Sequence, residues 1–324
     1  MSREAEPSAD SCNAGLNRIY QMRNTTLSPQ APTTRLSADI WQARRAAHRQ
    51  RMGPWVADRQ LRSGKQAKHP VYDFLFEYYG LRPSHLLRWS PGADVVLENA
   101  TPEDVDWPEV FHTIPGGMVL DAADFPKHRQ KFLRWGIDYL EAIAGRPPQL
   151  GCFGLHEWAM VYRETDIRHN RIPLRLSRSE TDAVVEVGIL SCTHYDAYRF
   201  FTPAAVPRNR QELSRVEAPQ HDQPGCVHVN MDLYKWAFQI APFCSGELMA
   251  DAFELAIAAR ELDMRASPYD LSAFGFTPIR IETRAGRDEY VEGQREIAKR
   301  GMPIRERLVA VYRSLRGDSN DMDS

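Results

Sequence analysis

The 324-residue chain contains no run of ~18 or more apolar residues, the length needed to cross a bilayer. Its opening, Met1-Ser-Arg-Glu-Ala-Glu-Pro, lacks the apolar core of a signal peptide, so a cytoplasmic protein is expected. Cysteine is scarce. The five present (Cys12, Cys152, Cys192, Cys226 and Cys244) are odd in number, widely spaced and without a C-x-x-C pair, which argues against a disulfide framework and a standard structural zinc site. Excess charge of either sign is also missing: 41 Lys and Arg stand against 43 Asp and Glu, a net charge of −2. Bulk electrostatics therefore does not make the molecule a polyanion binder. There is no phosphate-binding G-x-x-x-x-G-K-[ST] loop, no G-x-G-x-x-G, no G-x-S-x-G elbow and no H-E-x-x-H helix. Nucleotide hydrolysis and serine hydrolase chemistry lose ground accordingly.

What is present is an ordinary globular mixture, 43% hydrophobic and 26% charged, sufficient for a sizeable core. Residues 1–34 are rich in Ser, Pro, Asn, Thr and Ala without sustained periodicity, and read as a disordered tail. Residues 35–68 carry nine cations (Arg35, Arg44, Arg45, Arg49, Arg51, Arg59, Arg62, Lys65 and Lys68) against Asp39 and Asp58. This basic helical arm either contacts the phosphates of DNA or forms an amphipathic helix, with Ile40, Trp41, Met52 and Trp55 on the core and its arginines in water. Residues 69–316 are expected to form a single, mainly helical catalytic domain with a small β component, an α+β fold, followed by a disordered tail over 317–324.

Within that domain, apolar spacing predicts helices over Val71–Tyr79, Phe125–Ala144, Phe153–Tyr162, Glu247–Met264 and Glu289–Leu315, the last open to interruption at Pro303. A tight turn at Gly80 precedes a further short helix. Strands are expected over Ile172–Leu176, Ile189–Thr193 and Ile279–Glu282.

Groups of catalytic type concentrate between Cys152 and Asp270. Three segments share a local pattern of thiol, histidine, carboxylate and aromatic: Cys152 with His156, Glu157 and Trp158; Cys192 with His194, Asp196 and Tyr198; and Cys226 with His228, Asp232 and Trp236. A carboxylate beside a histidine fixes its tautomer and raises its basicity, as a metal site or a general base requires. His156, His194 and His228 are candidate ligands of zinc or iron, and Glu157, Asp196 and Asp232 further ligands or the base. The competing interpretation makes these histidines hydrogen-bonded core residues. A fourth group, Asp263, Arg265 and Asp270, reads as an ion network anchoring the turn after a long helix, or as an arginine facing the same pocket.

The runs Gln223-Pro-Gly-Cys-Val-His-Val-Asn-Met-Asp-Leu-Tyr-Lys-Trp-Ala, Gly154-Leu-His-Glu-Trp-Ala-Met-Val-Tyr-Arg and Glu261-Leu-Asp-Met-Arg-Ala-Ser-Pro-Tyr-Asp-Leu resemble a bacterial family labelled 3-methyladenine DNA glycosylase, over roughly His69 to Leu315. The Gly-rich hairpin of the helix-hairpin-helix glycosylases is missing, so no catalytic residue transfers from that class. The resemblance implies a DNA-repair hydrolase that excises an alkylated purine without a cofactor. Such chemistry needs aromatic rings around a flipped base, a carboxylate to activate water and cations for phosphates. Candidates are Trp158, Tyr198 and Trp236 for stacking and Glu157, Asp196 or Asp232 as the catalytic carboxylate. Arg199, Asn230, Tyr234, Lys235 and Arg265 are further substrate contacts. The alternative is a metal-dependent hydrolase or oxygenase acting on a small molecule or modified base.

Overall fold

A computed structural model describes residues 34–65, 68–164 and 172–317. The expected tails therefore lie outside the described residues, apart from Thr34 and Gly317. The protein is mainly α, 56% helical, with one four-stranded sheet. The described residues form two compact units: those up to 136, with 235–251 and 310–317, make the first, and those within 137–234 and 252–309 the second.

The first unit holds the sheet. Strand β1 (Thr34–Leu36) runs parallel to β2 (Val95–Glu98), β2 pairs antiparallel with β4 (Gly117–Val119), and β4 with β3 (His112–Ile114), in the order β1-β2-β4-β3. The β3–β4 hairpin closes on Pro115 and Gly116, whose φ of +84° suits the third position of a Pro-Gly turn. Its neighbour Gly117 lies so close to β2 that a Cβ there would overlap the Leu97 carbonyl. None of these strands coincides with an expected one. Of the expected strands, Ile172–Leu176 and Ile189–Thr193 contain only isolated bridges, at Leu174 and Leu190, and Ile279–Glu282 is irregular chain entering a turn.

Helix α1 (Ala38–Gly64) is built from strong helix formers and buries Trp41, His48, Met52 and Val56 along one stripe. Ile40, expected in the core, is instead 48% exposed. The cations of the basic stretch are largely engaged by carboxylates of the same unit. Arg35 meets Glu98, Arg44 meets Glu247, Arg49 meets Asp106 and Arg51 meets Asp251; Arg59 and Arg62 converge on buried Asp73, and Lys68 reaches Glu77. Arg45 donates to the Asp104 carbonyl and lies over Trp41. The amphipathic-helix interpretation describes the stretch, and the phosphate-contacting arm finds no support in it. Helix α2 (Asp73–Tyr78) and a 3-10 turn over Pro83–Leu87 follow, as the spacing predicts.

Helix α3 (Gln130–Ala144) realises the expected helix after two short 3-10 turns. The second unit then contains α4 (Leu155–Ala159), α5 (Arg178–Val187), α6 (Tyr195–Tyr198) and α7 (Ala218–His221). Most of α8 (Val227–Gln239), α9 (Gly246–Ala266) and α10 (Arg284–Arg316) also belongs to it. Helix α10 continues through Pro303. Ser177 and Glu180 cap α5 reciprocally, satisfying two backbone amides that have no partner inside the helix. No helix among the described residues is long and apolar enough to cross a membrane.

Candidate functional site

The site belongs to the second unit and begins where the chain turns into α4. Phe153 and Gly154 both have positive φ, +50° and +71°, and Gly154 sits against Ala266, where a Cβ would approach the Ala266 methyl to 3.1 Å. That close approach turns the short helix inward, so His156, Glu157 and Trp158 are all buried. Helix α8 contributes His228 and Asp232 one turn apart, and α9 contributes Arg260 and Asp263 at i,i+3 spacing on one face.

These residues meet in one cluster. Asp263 is the centre: its Oδ1 lies 2.8 Å from His156 Nε2, and its Oδ2 lies 3.8 Å from His228 Nε2 and 3.1 Å from the Arg260 guanidinium. Arg260 also donates to Glu157 Oε1 at 3.0 Å. The His156 and His228 rings are 4.7 Å apart, and His194 stacks on His228 at 5.6 Å. The three histidines thus come together. Beside them, His194 Nδ1 meets Asp222 Oδ1 at 2.9 Å, and the Tyr139 hydroxyl donates to Asp222 Oδ2 at 2.5 Å.

Electrostatics divides the cluster. Burial works against a charged His156, but Asp263 and Cys152 outweigh it and hold His156 well above the ordinary histidine range. Burial likewise opposes ionisation of Asp263, yet His156, His228 and Arg260 keep its carboxyl far below the usual carboxylate range. Burial pushes His228 well down, and the neighbouring His156, His194 and Arg260 add to this against the pull of Asp263. For His194, Asp222 overcomes burial and raises the imidazole. Burial and neighbouring charge thus shift His156 and His194 upward and His228 downward.

One ring nitrogen from each of His156 and His228 and one Asp263 oxygen lie within 4.8 Å of one another, close enough for a single metal ion to bind all three. Their bonding supports the fit. His156 Nε2 and Asp263 Oδ1 are buried and close, but no correctly directed hydrogen bond satisfies either. The other ring nitrogen of His156 contacts Cys152 Sγ at 3.3 Å, which leaves Nε2 as the donor atom facing the cluster. Two imidazoles and a carboxylate suit zinc, or iron in a two-histidine, one-carboxylate site.

The remaining sequence-predicted residues are dispersed. Asp196 is partly exposed and pairs with Arg199 and Arg215. Asp232 is buried within charge range of His194 and Tyr139. Trp158 is fully buried and its indole donates to the Ala266 carbonyl. Tyr198 is buried against Phe201, and Tyr234 against Phe253. The Asn230 amide holds the Pro224 and Cys226 carbonyls while its oxygen accepts from Arg305. Arg265 turns outward to Glu289 and the Thr277 carbonyl, and Asp270 accepts from the Ser272 amide, so neither joins Asp263. Lys235 and Trp236 belong to the first unit, where Trp236 packs with Phe132, Trp135 and Tyr312.

Sequence reasoning missed four participants. Asp263 was placed in a turn network, and Arg260, Asp222 and Tyr139 were not singled out. Tyr290 adds a fully buried hydroxyl without a hydrogen-bond partner among the described residues; after burial, the charge of Asp263 is the largest influence pushing that phenol upward. No family model matches the chain, and no curated protein or solved structure matches it.

Proposed function

We propose that the second unit is a metal-dependent enzyme, with His156, His228 and Asp263 holding a divalent transition metal. The observation that carries this reading is the buried, mutually unsatisfied approach of His156 Nε2 and Asp263 Oδ1, with His228 Nε2 alongside. A cation between such groups removes the cost of leaving them unpaired. The metal would supply Lewis acidity toward a bound substrate or water. Around it the chain's own groups have separable tasks. Cys152 orients the His156 ring, while Arg260 balances the charge of Asp263 and Glu157. Asp222, steadied by Tyr139, fixes the His194 tautomer with the proton on Nδ1 and leaves Nε2 to hold or move a proton.

This replaces His194 with Asp263 in the expected ligand set. The glycosylase interpretation implied by the resemblance draws less support, because Glu157 is tied to Arg260 and Asp196 to two arginines. A carboxylate that activates water must be able to reach it.

Metal analysis of the purified protein tests the proposal. Near-stoichiometric zinc, iron or manganese is expected, and it should be largely lost in His228→Ala and Asp263→Asn but retained in Asp196→Asn. Absence of bound metal, together with no binding of added zinc, which such a site holds more tightly than iron(II) or manganese, at ~10 µM, would refute it. Incubation with a duplex containing 3-methyladenine tests the glycosylase alternative directly: release of free base by metal-free protein would favour it.

A further inference from the structure

The first unit carries a second basic surface apart from α1. Residues 125–136 and 310–317 contain Lys127, Arg129, Lys131, Arg134, Arg313 and Arg316, and not one acidic residue. Lys127, Lys131, Arg134 and Arg313 are exposed. The two segments are adjacent: Gln130, at the start of α3, donates to the Leu315 carbonyl at the end of α10 at 3.4 Å. Residues 131, 134 and 135 of α3 recur at the spacing of one helical face, and Lys127 lies in the 3-10 turn that leads into it.

Local helix stability accounts for Arg313 and Arg316, which lie in the last turn of α10 where cations are favourable, but not for the cations at the start of α3. The first turn of α3 carries no acid, yet a helix start is where acidic side chains are favourable and cations unfavourable. Nor is the face purely ionic. Trp135 is 46% exposed, unusual for the largest apolar side chain, and its inner side rests on Trp236 at 5.5 Å. Trp236 in turn stacks on Phe132 at 5.9 Å, and Arg129 covers Phe132 at 4.6 Å. The exposed indole is thereby held on a packed aromatic base among cations.

From this we infer that the face formed by the start of α3 and the end of α10 binds single-stranded nucleic acid, with Lys127, Lys131, Arg134 and Arg313 on phosphates and Trp135 stacked on an unpaired base. Cations tracking a backbone beside an exposed aromatic ring are the two elements that single-strand recognition combines. An anionic membrane is the weaker fit. Helices that lie in a bilayer interface need a free apolar face, and the apolar side of α3 is already buried through Leu133. The inference is independent of the metal site.

Fluorescence anisotropy with labelled dT20 and U20, the corresponding duplex and phosphatidylserine vesicles would test it on the full-length protein. Single strands should bind more tightly than duplex, with affinity falling as salt rises. The double variant Lys131→Glu/Arg134→Glu should weaken binding at least tenfold and flatten the salt dependence, by about 0.7 in the log–log slope per lost phosphate contact. Trp135→Ala should weaken single-strand binding about 5- to 150-fold while leaving any duplex binding nearly unchanged. Lys299→Glu, an exposed charge reversal in the second unit, should have little effect. Unchanged melting temperatures would separate lost contacts from misfolding. The inference is overturned if wild type binds neither single strand, if Lys299→Glu weakens binding as much as the double variant, or if vesicles are bound and oligonucleotides are not.

Discussion

Removing the Arg260 guanidinium is the sharpest perturbation of the buried cluster. Arg260, Glu157 and Asp263 are 1%, 4% and 0% exposed, and the guanidinium touches both carboxylates, at 3.0 and 3.1 Å. Arg260 offsets the charges of Glu157 and Asp263, and burial of these carboxylates is tolerable only beside a cation. Arg260→Met retains much of the volume and takes the shared cation away from Glu157 and Asp263. Breaking a buried pair from one side costs about 3–5 kcal/mol, because the surviving charge loses its partner without regaining water. At about 2–4 °C per kcal/mol for a unit of this size, the melting temperature should drop by roughly 6–20 °C. Adding Glu157→Gln should recover much of the loss, since the orphaned charge is then removed. Urea and thermal unfolding of wild type, the two single variants and the double variant complete the cycle. A loss below ~1 kcal/mol for Arg260→Met, the range of exposed ion pairs, would refute the reasoning. So would a double variant no more stable than Arg260→Met alone.

Two further predictions concern the first unit. Burial, followed by the charges of Arg88 and Arg82, lowers His85 from its ordinary 6.5 to about 4, so the unfolded chain takes up the proton first as pH falls. Stability present above pH 6.5 should therefore be lost progressively down to about pH 4, and His85→Phe should flatten the denaturation midpoint over that window; an unchanged pH profile would discount the effect. Gly117→Ala should destabilise by ~2 kcal/mol or more, since its Cβ has no room beside the Leu97 carbonyl, whereas Gly64→Ala, with nothing near its Cβ, should lie within ~1 kcal/mol of wild type in the same melts.

The helices were legible in the sequence because long amphipathic periods repeat often enough to stand out. Helices α3, α9 and α10 begin and end within a few residues of their expected limits, except that α3 starts five residues after Phe125 and α10 five residues before Glu289. The sheet was not legible, for an opposite reason. Its strands are three or four residues long, and β4 contains Gly117, chosen for a close approach to β2 rather than for strand propensity. The β-rich segments that suggested strands pack as single bridges or turns, because an apolar run of four or five residues satisfies a helical neighbour as well as a sheet. Pro303 was weighed as an interruption, yet α10 absorbs it.

The site was half legible, and the division follows how each residue is recruited. His156 and His228 stood out through a repeated local pattern, and their rings do meet. The carboxylate between them came from elsewhere. Neighbours on the chain suggested that Asp263 acts with Arg265 and Asp270, but its position on α9, three residues after Arg260, turns it into the core while Arg265 points to Glu289. A helix decides direction by angle, so residues two apart in sequence part company. Asp222 and Tyr139 carried no local signal at all, being single residues brought to His194 by separate segments. His156 and His194 thus take their partners from distant segments, Asp263 and Asp222, and not from the adjacent Glu157 or the nearby Asp196. Adjacent carboxylates look outward or to arginine because consecutive side chains on a helix diverge by about 100°. Long-range pairing of this kind ties the geometry of the cluster to folding of the whole unit, so variants such as Arg260→Met should perturb stability and metal content together.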